Sequence, residues 1–345
     1  MEYRFLGNSG LKVSVLSFGN WLTNNDPSVL EKTIEIVKKC YDSGINFFDT
    51  AEGYGEGEAE RQLGIALQKL NVPRQNLVVS TKIFFGTSNT INGTGTSRKH
   101  LIEGLRASLK RLQLDYVDVV FAHRYDSETP LEETCRAFNY LINKGLAFYW
   151  GTSEWSSEEI GRTMEICERL QLIKPITEQP QYSILVREKM EVEYGALFDQ
   201  YKLGTTVWSP LAGGILTGKY NDGVPKESRI AHADLFIKKE FYDKIFFGEK
   251  IYEKRRKAMK EFEIFAKELD CSQAQLALAW VIHNKDVSTA IFGASKISQV
   301  NDNLNALAIS KKLSKEILES IEKLFETRPE TALNYKVWQP FPSRR

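Results

Sequence analysis

The sequence predicts an α/β protein built as a single (β/α)8 TIM barrel, and two observations carry this prediction. Eight short apolar runs lie near residues 16, 46, 78, 118, 148, 177, 206 and 290, with amphipathic stretches between them. None of these runs shows a clear two-residue alternation, as expected for strands that are buried on both faces. Because strands that alternate with helices form parallel sheets, eight such units indicate a closed barrel.

A small hairpin precedes the barrel, with predicted strands at Tyr3–Leu6 and Leu11–Val13 around the turn at residues 7–10. Helices are predicted where apolar residues recur at helical spacing. Ser97 and either Ser156 or Ser157 are expected to cap two of them, and Gly145 is expected to end a third. The predicted helices cover about residues 28–41, 58–69, 97–112, 131–144, 156–170, 189–201 and 314–326.

The connection after the seventh strand is about twice as long as the others, since it runs from Ser209 to Ser288. It therefore holds a loop and helical insertion, and residues 212–256 are the predicted cover over the mouth of the barrel. No segment has the composition of a linker between domains. We therefore expect residues 1–345 to form one domain.

Composition excludes several classes of function. The chain has 345 residues, of which 42% are hydrophobic, and a formal net charge of +1. This charge gives no field that attracts nucleic acid or an anionic membrane, and the basic run at 254–257 is read as a solvated helix face. No apolar run has the length of a membrane span, and no signal peptide follows Met1. Four widely spaced cysteines are expected to be reduced, so we predict a cytoplasmic protein.

Polar side chains stand at the predicted ends of consecutive strands. Asp49 ends the second strand, Lys82 ends the third and His123 follows the fourth. Tyr54 lies five residues after Asp49 in a loop with glycines at 53, 55 and 57. In barrels of this class the active site lies at the carboxyl ends of the strands, where neighbouring strands are about 5 Å apart. These four side chains are therefore the predicted catalytic set.

The chemistry of such a set follows from its charges. Asp49 would keep Lys82 protonated, and a nearby ammonium group lowers the pKa of a phenol. Tyr54 could then protonate a carbonyl oxygen while a hydride reaches the carbonyl carbon, and His123 could orient that oxygen. This is the reduction of an aldehyde or ketone, and it requires a hydride carrier.

Each residue alone has an ordinary structural explanation. Asp49 and Lys82 could form a structural ion pair, and His123 could be a satisfied strand-end histidine. Tyr54 could be a loop aromatic, and Trp21 and Trp208 could fill the core. It is their shared position at one end of one barrel that favours the functional reading. The four histidines show no metal-ligand spacing, so no metal is expected.

Two loops are predicted to bind phosphate groups, because such sites follow the seventh and eighth strands of barrels. The first loop has small residues and two nearby cations, and the second has small residues and amides. The residues are Ser209, Pro210, Leu211, Ala212, Gly214, Lys219 and Arg229 for the first, and Gly293, Ser295, Gln299 and Asn303 for the second. No Rossmann fingerprint is present, because the glycines at 53, 55 and 57 do not match its spacing.

The chain resembles the aldo-keto reductase superfamily from Arg4 to about Asn303. The resemblance rests on residues 44–55, Thr81-Lys82 and Gly151-Thr152-Ser153. Within the superfamily it is most similar to the β-subunits of voltage-gated potassium channels and their plant and microbial relatives. The segments that carry this closer similarity are 97–100, 112–120, 149–153 and 208–214.

The resemblance implies NADPH as the cofactor, with Asp49, Tyr54, Lys82 and His123 as the catalytic residues. Gln179 and Trp208 would flank the nicotinamide, and Asn20, Trp21, Asp49 and Ser153 would also bind the cofactor. Ser209, Leu211, Gly214 and Lys219 would hold the pyrophosphate side. Arg229, Ser295, Gln299, Asp302 and Asn303 would hold the adenosine end. A homotetramer is also implied.

Three departures from the animal channel subunits stand out: His123 replaces Asn, Glu154 replaces Arg, and Asn20 replaces Thr. His123 is the residue of typical reductases, which favours an NADPH-dependent carbonyl reductase acting on a small carbonyl substrate. The alternative is a regulatory, redox-sensing partner of the cytoplasmic domain of a potassium channel, with little turnover. A third alternative is a lyase that uses Lys82 as a Schiff base.

Overall fold

The computed structural model describes residues 1–21, 28–233 and 235–330, apart from the side chains of residues 28, 229 and 236. An antiparallel hairpin of β1 (Tyr3–Phe5) and β2 (Lys12–Ser14) comes first. Eight parallel strands then close into a barrel, with β10 pairing to both β3 and β9. They are β3 Leu16–Gly19, β4 Phe47–Asp49, β5 Val78–Ile83, β6 Val117–Ala122, β7 Ala147–Ser153, β8 Thr177–Gln179, β9 Gly204–Trp208 and β10 Thr289–Phe292. The predicted fold class, the hairpin and all eight strands are confirmed.

The hairpin closes the amino-terminal end of the barrel. Leu6 and Val13 are fully buried and pack with Phe47 and Phe121, which point into the barrel. Gly7 lies at the tip with φ of +60°, and a Cβ there would come within 2.2 Å of the Ile176 carbonyl oxygen. Only glycine permits this close approach. The floor of the barrel is therefore apolar, and its polar side chains gather at the opposite end.

Helices surround the barrel and bury an apolar face against the outer faces of the strands. The described helices are α1 Ser28–Asp42, α2 Glu58–Leu70, α3 Arg98–Leu112, α4 Leu131–Asn143, α5 Ser157–Arg169, α6 Gly195–Tyr201, α7 Arg229–His232, α8 Leu235–Ile237, α9 Tyr252–Glu268, α10 Gln273–His283, α11 Ile297–Leu304, α12 Ala306–Ser310 and α13 Lys315–Phe325. Among the described residues, no helix combines the length and apolar composition that a membrane crossing requires.

The predicted helix ends are confirmed where a cap defines them. The Ser97 side chain accepts a hydrogen bond from the backbone N–H of His100 at the start of α3. Ser156 and Glu159 form a capping box at the start of α5. Gly145 follows α4 with φ of +69° and donates its N–H to the carbonyl of Ile142. These polar groups satisfy backbone atoms that a helix end would otherwise leave unpaired.

The structure corrects two helix predictions. The single helix expected at 189–201 is instead a π-helical turn at Lys189–Glu193 followed by α6, with the break at Tyr194. The insertion after β9 extends beyond residue 256, because α9 runs on to Glu268 and α10 follows it. Helix α10 buries almost every residue, so it lacks the polar face that reveals a helix in a sequence.

Strand register brings the predicted strand-end residues to one rim. Asp49 on β4 lies opposite Ser80 on β5, and Lys82 follows Ser80 by two residues on β5. The side chains of Ser80 and Lys82 therefore point into the barrel, as the side chain of Asp49 does. Ser153 pairs with Gln179 in the same way on β7 and β8. The backbone N–H of His123 bonds to the Ile83 carbonyl and places the imidazole beside Lys82.

Candidate active site

Lys82 is the centre of the polar cluster at the carboxyl rim. The side chain is fully buried, and its Nζ lies 2.5 Å from Asp49 Oδ2, 2.8 Å from the Thr50 carbonyl oxygen and 3.3 Å from Tyr54 Oη. An ammonium group has three protons, so these three acceptors satisfy it completely and fix its direction. One of the three acceptors is the phenol that the sequence predicts as the proton donor.

The protonation state of Lys82 follows from its neighbours. Burial works to lower the pKa of the amine, but the charges of Asp49 and Tyr54 and their hydrogen bonds outweigh it and raise this pKa above its ordinary value. Asp49 is itself held by the Ser80 hydroxyl at 2.7 Å and the Gln179 amide at 3.2 Å. Lys82 is therefore an ammonium ion at neutral pH, in a fixed frame.

Tyr54 opens a short 3-10 turn at Tyr54–Gly57, in which Gly55 adopts φ of 55°. Burial raises the pKa of the Tyr54 phenol above its ordinary value, and the charge of Lys82 offsets this only in part. Lys82 does lower the pKa of Tyr54, as expected, but burial has the larger effect and the net shift is upward. The phenol consequently keeps its proton at neutral pH, as a proton donor must.

His123 packs edge-on against the Tyr54 ring, with the two ring centroids 5.7 Å apart. Burial, with help from the charges of Lys82 and Arg124, puts the pKa of the imidazole well below its ordinary value. The ring is therefore neutral and carries one N–H. Its Nδ1 is buried without a hydrogen-bond partner among the described residues. A neutral imidazole in this position can donate to a carbonyl oxygen.

Aromatic side chains frame the space above these groups. Trp21 lies 6.5 Å from the Tyr54 ring, and Phe85 packs edge-on against His123 at 4.9 Å. Trp21 is 45% exposed and Phe85 is 50% exposed, so both present apolar surface to solvent. Apolar rings beside a few buried polar groups suit a small organic substrate.

Two buried carboxylates that are not among the predicted site residues, Glu52 and Glu60, hold this part of the rim. Glu52 Oε1 accepts from the backbone N–H of Phe84 at 2.7 Å and of Gly86 at 2.9 Å, and it lies 3.0 Å from His100 Nε2. Glu60 binds the Thr81 hydroxyl and Arg111 on the outer side of β5. The signal that could have found Glu52 is its place three residues after Asp49, within the segment that carries the resemblance.

Ser153, Gln179 and Trp208 line the next part of the rim. The Ser153 hydroxyl donates to the Gln179 carbonyl at 3.0 Å, and Gln179 reaches Asp49 as described. The Trp208 indole N–H donates to Glu154 Oε1 at 2.8 Å, and its ring stacks on Phe241 of the insertion at 5.4 Å. Glu154 thus orients Trp208 through a contact that the sequence analysis did not predict.

The loop after β9 has several residues in the left-handed backbone region. Ser209, Ala212, Gly213 and Gly214 all have positive φ, of 52°, 48°, 67° and 96° respectively. A Cβ on Gly214 would lie 2.9 Å from Lys219 Nζ, so the ammonium group stands directly over this glycine. The N–H groups of Ala212, Gly213 and Gly214 bond to Ser209 and Leu211 within the loop, so Lys219 is the charged group that this loop could offer a phosphate. Pro210 and Leu211 lie within the same turn.

The loop after β10 begins α11 and is organised by one side chain. Gln299 Oε1 accepts from the backbone N–H of Ser295 at 2.7 Å and of Lys296 at 3.2 Å. Gly293 precedes this turn, and Asn303 is buried further along α11. Asp302 accepts from Ser272 and Gln275, so its carboxylate braces the start of α10. The side chain of Arg229 lies outside the described residues.

The rim residues fit a dinucleotide. Besides His123 Nδ1, the buried oxygen Asn20 Oδ1 has no partner among the described residues, and it lies at the end of β3 beside β4. Lys219, beside the loop after β9, would be the cation nearest to the phosphate groups of such a cofactor. Among the described residues, no group of three or more His, Cys, Asp and Glu side chains could hold a metal ion.

Comparison with known proteins agrees with this geometry. The family model described as "Aldo/keto reductase family" matches residues 15–326. A "Probable voltage-gated potassium channel subunit beta" of Arabidopsis thaliana is 44% identical over 337 residues, which cover 97% of this chain and 100% of the relative. The protein of the same name from Oryza sativa subsp. japonica has the same identity and coverage, 44% over 337 residues. A similarly named protein of Schizosaccharomyces pombe is 46% identical over 331 residues, covering 95% of this chain and 94% of the relative.

Membership of this family bears on the class of reaction and on the cofactor. Membership supports an oxidoreductase and a nicotinamide cofactor. The names of the relatives describe potassium channel subunits, and this is a statement about those proteins. From the barrel, the rim residues and the match over residues 15–326, we conclude that the chain belongs to the aldo/keto reductase family.

Proposed function

We propose that this protein is an NADPH-dependent reductase that converts aldehyde and ketone carbonyls to alcohols. The observation that carries the proposal is the contact of Lys82 Nζ with both Asp49 Oδ2 at 2.5 Å and Tyr54 Oη at 3.3 Å, beside a neutral His123. A structural ion pair would require only the first contact. The second contact places a buried cation against a phenol, which is an arrangement for proton transfer.

The protein groups have distinct parts in the proposed reaction. Bound NADPH supplies the hydride to the carbonyl carbon. Tyr54 donates its proton to the carbonyl oxygen, and Lys82 stabilises the phenolate charge that develops. Asp49 keeps Lys82 charged and aligned. The His123 N–H orients the carbonyl oxygen, and the aromatic rim excludes water from it.

The same contacts disfavour the lyase alternative. A lysine that forms a Schiff base must lose its proton, and such residues have a lowered pKa. Lys82 instead donates three hydrogen bonds, and its pKa is raised. Its neighbours therefore keep it in the form that cannot attack a carbonyl carbon.

The proposal assigns the cofactor to the rim residues described above. Asn20, Trp21, Ser153, Gln179 and Trp208 would hold the nicotinamide end. The adjacent turn, Ser209 to Gly214 with Lys219, would hold the pyrophosphate. Arg229, Gly293, Ser295, Gln299, Asp302 and Asn303 would hold the adenosine end. The cations of this set favour the additional phosphate of NADPH over NADH. We further propose a single domain over 1–345 and a cytoplasmic location.

A nucleotide titration followed by an aldehyde panel tests this function. Trp208 lies in the proposed site, so its fluorescence should report occupancy. The titration should show tighter binding of NADPH than of NADH. Turnover with a panel of aldehydes should consume NADPH and yield the corresponding alcohol in equal amounts. Tight binding without any alcohol product would contradict the proposal.

A second candidate function is supported by the relatives' names. Proteins 44–46% identical over nearly this whole chain are named as potassium channel β-subunits. The chain could therefore form a homotetramer that binds the cytoplasmic domain of a potassium channel and reports the redox state of its nucleotide. Co-purification with such a domain, together with negligible steady-state turnover, would favour this function over the first.

A further inference from the structure

Arg124 stands at the mouth of the candidate active site and has no part in the proposed reaction. It follows His123 directly after β6, and its guanidinium donates to the His123 carbonyl and, at 3.3 Å, to the Ser153 hydroxyl. Both bonds come from Nη1. Its Nε and Nη2 make no hydrogen bond within the described part of the chain. A guanidinium has five N–H donors, so most of its capacity is unused.

Most other partly buried arginines of this protein are paired with carboxylates, although Arg255 bonds to the Phe325 carbonyl instead. Arg74 lies 2.6 Å from Asp118, Arg111 lies 2.6 Å from Glu60, and Arg187 lies 2.7 Å from Glu191. Within residues 1–21, 28–233 and 235–330, no carboxylate lies within salt-bridge distance of Arg124. A half-buried cation without an anion is costly. Such a group is suited to an anion that arrives from outside the chain.

The surroundings of Arg124 show where that anion would lie. Its guanidinium carbon is 5.9 Å from the Phe85 ring, and Phe85 packs against His123. The charge of Arg124 is felt at both reacting groups, because it contributes to lowering the pKa of His123 and opposes the rise in the pKa of Tyr54. Phe85 and His123 thus connect the guanidinium to the Tyr54 ring through a continuous series of contacts.

We propose that the substrate is a carbonyl compound that also carries a carboxylate, and that Arg124 binds this carboxylate while Tyr54 and His123 receive the carbonyl oxygen. This inference rests on the proposed reductase function and narrows its substrate class. Two donors on one planar guanidinium match the two oxygens of a carboxylate. The exposed rings of Trp21 and Phe85 favour an apolar, planar body between the two groups of the substrate.

A matched pair of aldehydes tests the assignment: para-carboxybenzaldehyde and its methyl ester differ in charge and little else. With NADPH present, the wild-type protein should show a kcat/KM for the acid at least about tenfold above that for the ester, since a charge-assisted bond is worth about 1.5–3 kcal/mol. Arg124→Gln should reduce this ratio to near one, and Arg124→Lys should give an intermediate ratio. Equal values for the two aldehydes in the wild type, or an unchanged ratio in Arg124→Gln, would overturn the assignment.

A binding experiment separates this inference from the reductase proposal. Ligand-observed NMR can measure binding of para-(hydroxymethyl)benzoate and its methyl ester, which are alcohols and cannot be reduced further. The wild type should bind the acid more tightly than the ester, and Arg124→Gln should lose that preference. If neither aldehyde is reduced but this preference exists, the reductase proposal fails and the carboxylate site stands. If the preference is absent, or persists in Arg124→Gln, the carboxylate site is wrong whatever the activity.

Discussion

Replacement of Lys82 by methionine should slow the proton-transfer step directly. The ammonium lies 3.3 Å from Tyr54 Oη, and at an effective dielectric constant of about 20 a full phenolate charge there is stabilised by about 5 kcal/mol. A phenol that has transferred half its proton in the transition state gains about half of this. The expected loss in the hydride-transfer rate is therefore roughly 70-fold to 5,000-fold.

The assay is a single-turnover measurement of NADPH oxidation with an excess of aldehyde. A control is necessary because Lys82→Met leaves the buried Asp49 without its cation, which destabilises a protein by about 3–5 kcal/mol. The double variant Asp49→Asn with Lys82→Met removes that unpaired charge, so it should recover thermal stability but not the rate. A loss below about tenfold in a folded variant that still binds NADPH would refute the assigned role of Lys82.

Four further predictions follow from the same contacts. The rate of reduction should be constant across neutral pH and fall only in alkaline solution, because the raised pKa of Tyr54 keeps the phenol protonated. A pH–rate profile that falls through pH 7 would contradict this. Glu154→Gln should keep the cofactor-dependent change in Trp208 fluorescence while Glu154→Ala diminishes it, since only the amide can still accept the indole N–H at 2.8 Å. Gly214→Val should weaken NADPH binding at least about tenfold in a fluorescence titration, because φ of +96° is strained for valine and its Cβ would meet Lys219. Normal affinity would argue against the loop after β9 as the phosphate site. Burial raises the pKa of Glu178 from 4.5 to about 8, so the folded state holds this proton more tightly than the unfolded state. Stability should therefore decline as pH rises from about 4.5 to about 8 and then level off, and the melting temperature of Glu178→Gln should lose that decline.

Much of this architecture follows from the sequence because the barrel repeats one simple pattern. Strands buried on both faces read as short apolar runs, and the parallel register then fixes which side chains share a rim. Asp49 and Lys82 could be paired in advance because both end strands that are neighbours in the barrel. The structure places Tyr54 and His123 at the same point, while their chemical roles remain predictions.

Other contacts required three-dimensional positions. Glu154 reaches Trp208 from a backbone with φ of 61°, a conformation that nothing in its residue type indicates. The pKa of Tyr54 depends on how far burial outweighs the charge of Lys82, and only the geometry shows that balance. Arg124 could not be distinguished from other arginines in the sequence. Its proposed role comes from the structure, where no carboxylate among the described residues lies within salt-bridge distance of its guanidinium.

The central claim is that Tyr54 gives the proton to the carbonyl oxygen, and Tyr54→Phe tests it most directly. This change removes one oxygen and keeps the ring beside Trp21 and His123. In a single experiment, NADPH binding and single-turnover aldehyde reduction should be measured for the wild type and the variant. Tyr54→Phe should bind NADPH with the wild-type affinity and lose aldehyde reduction; reduction at the wild-type rate would show that Tyr54 is not the proton donor.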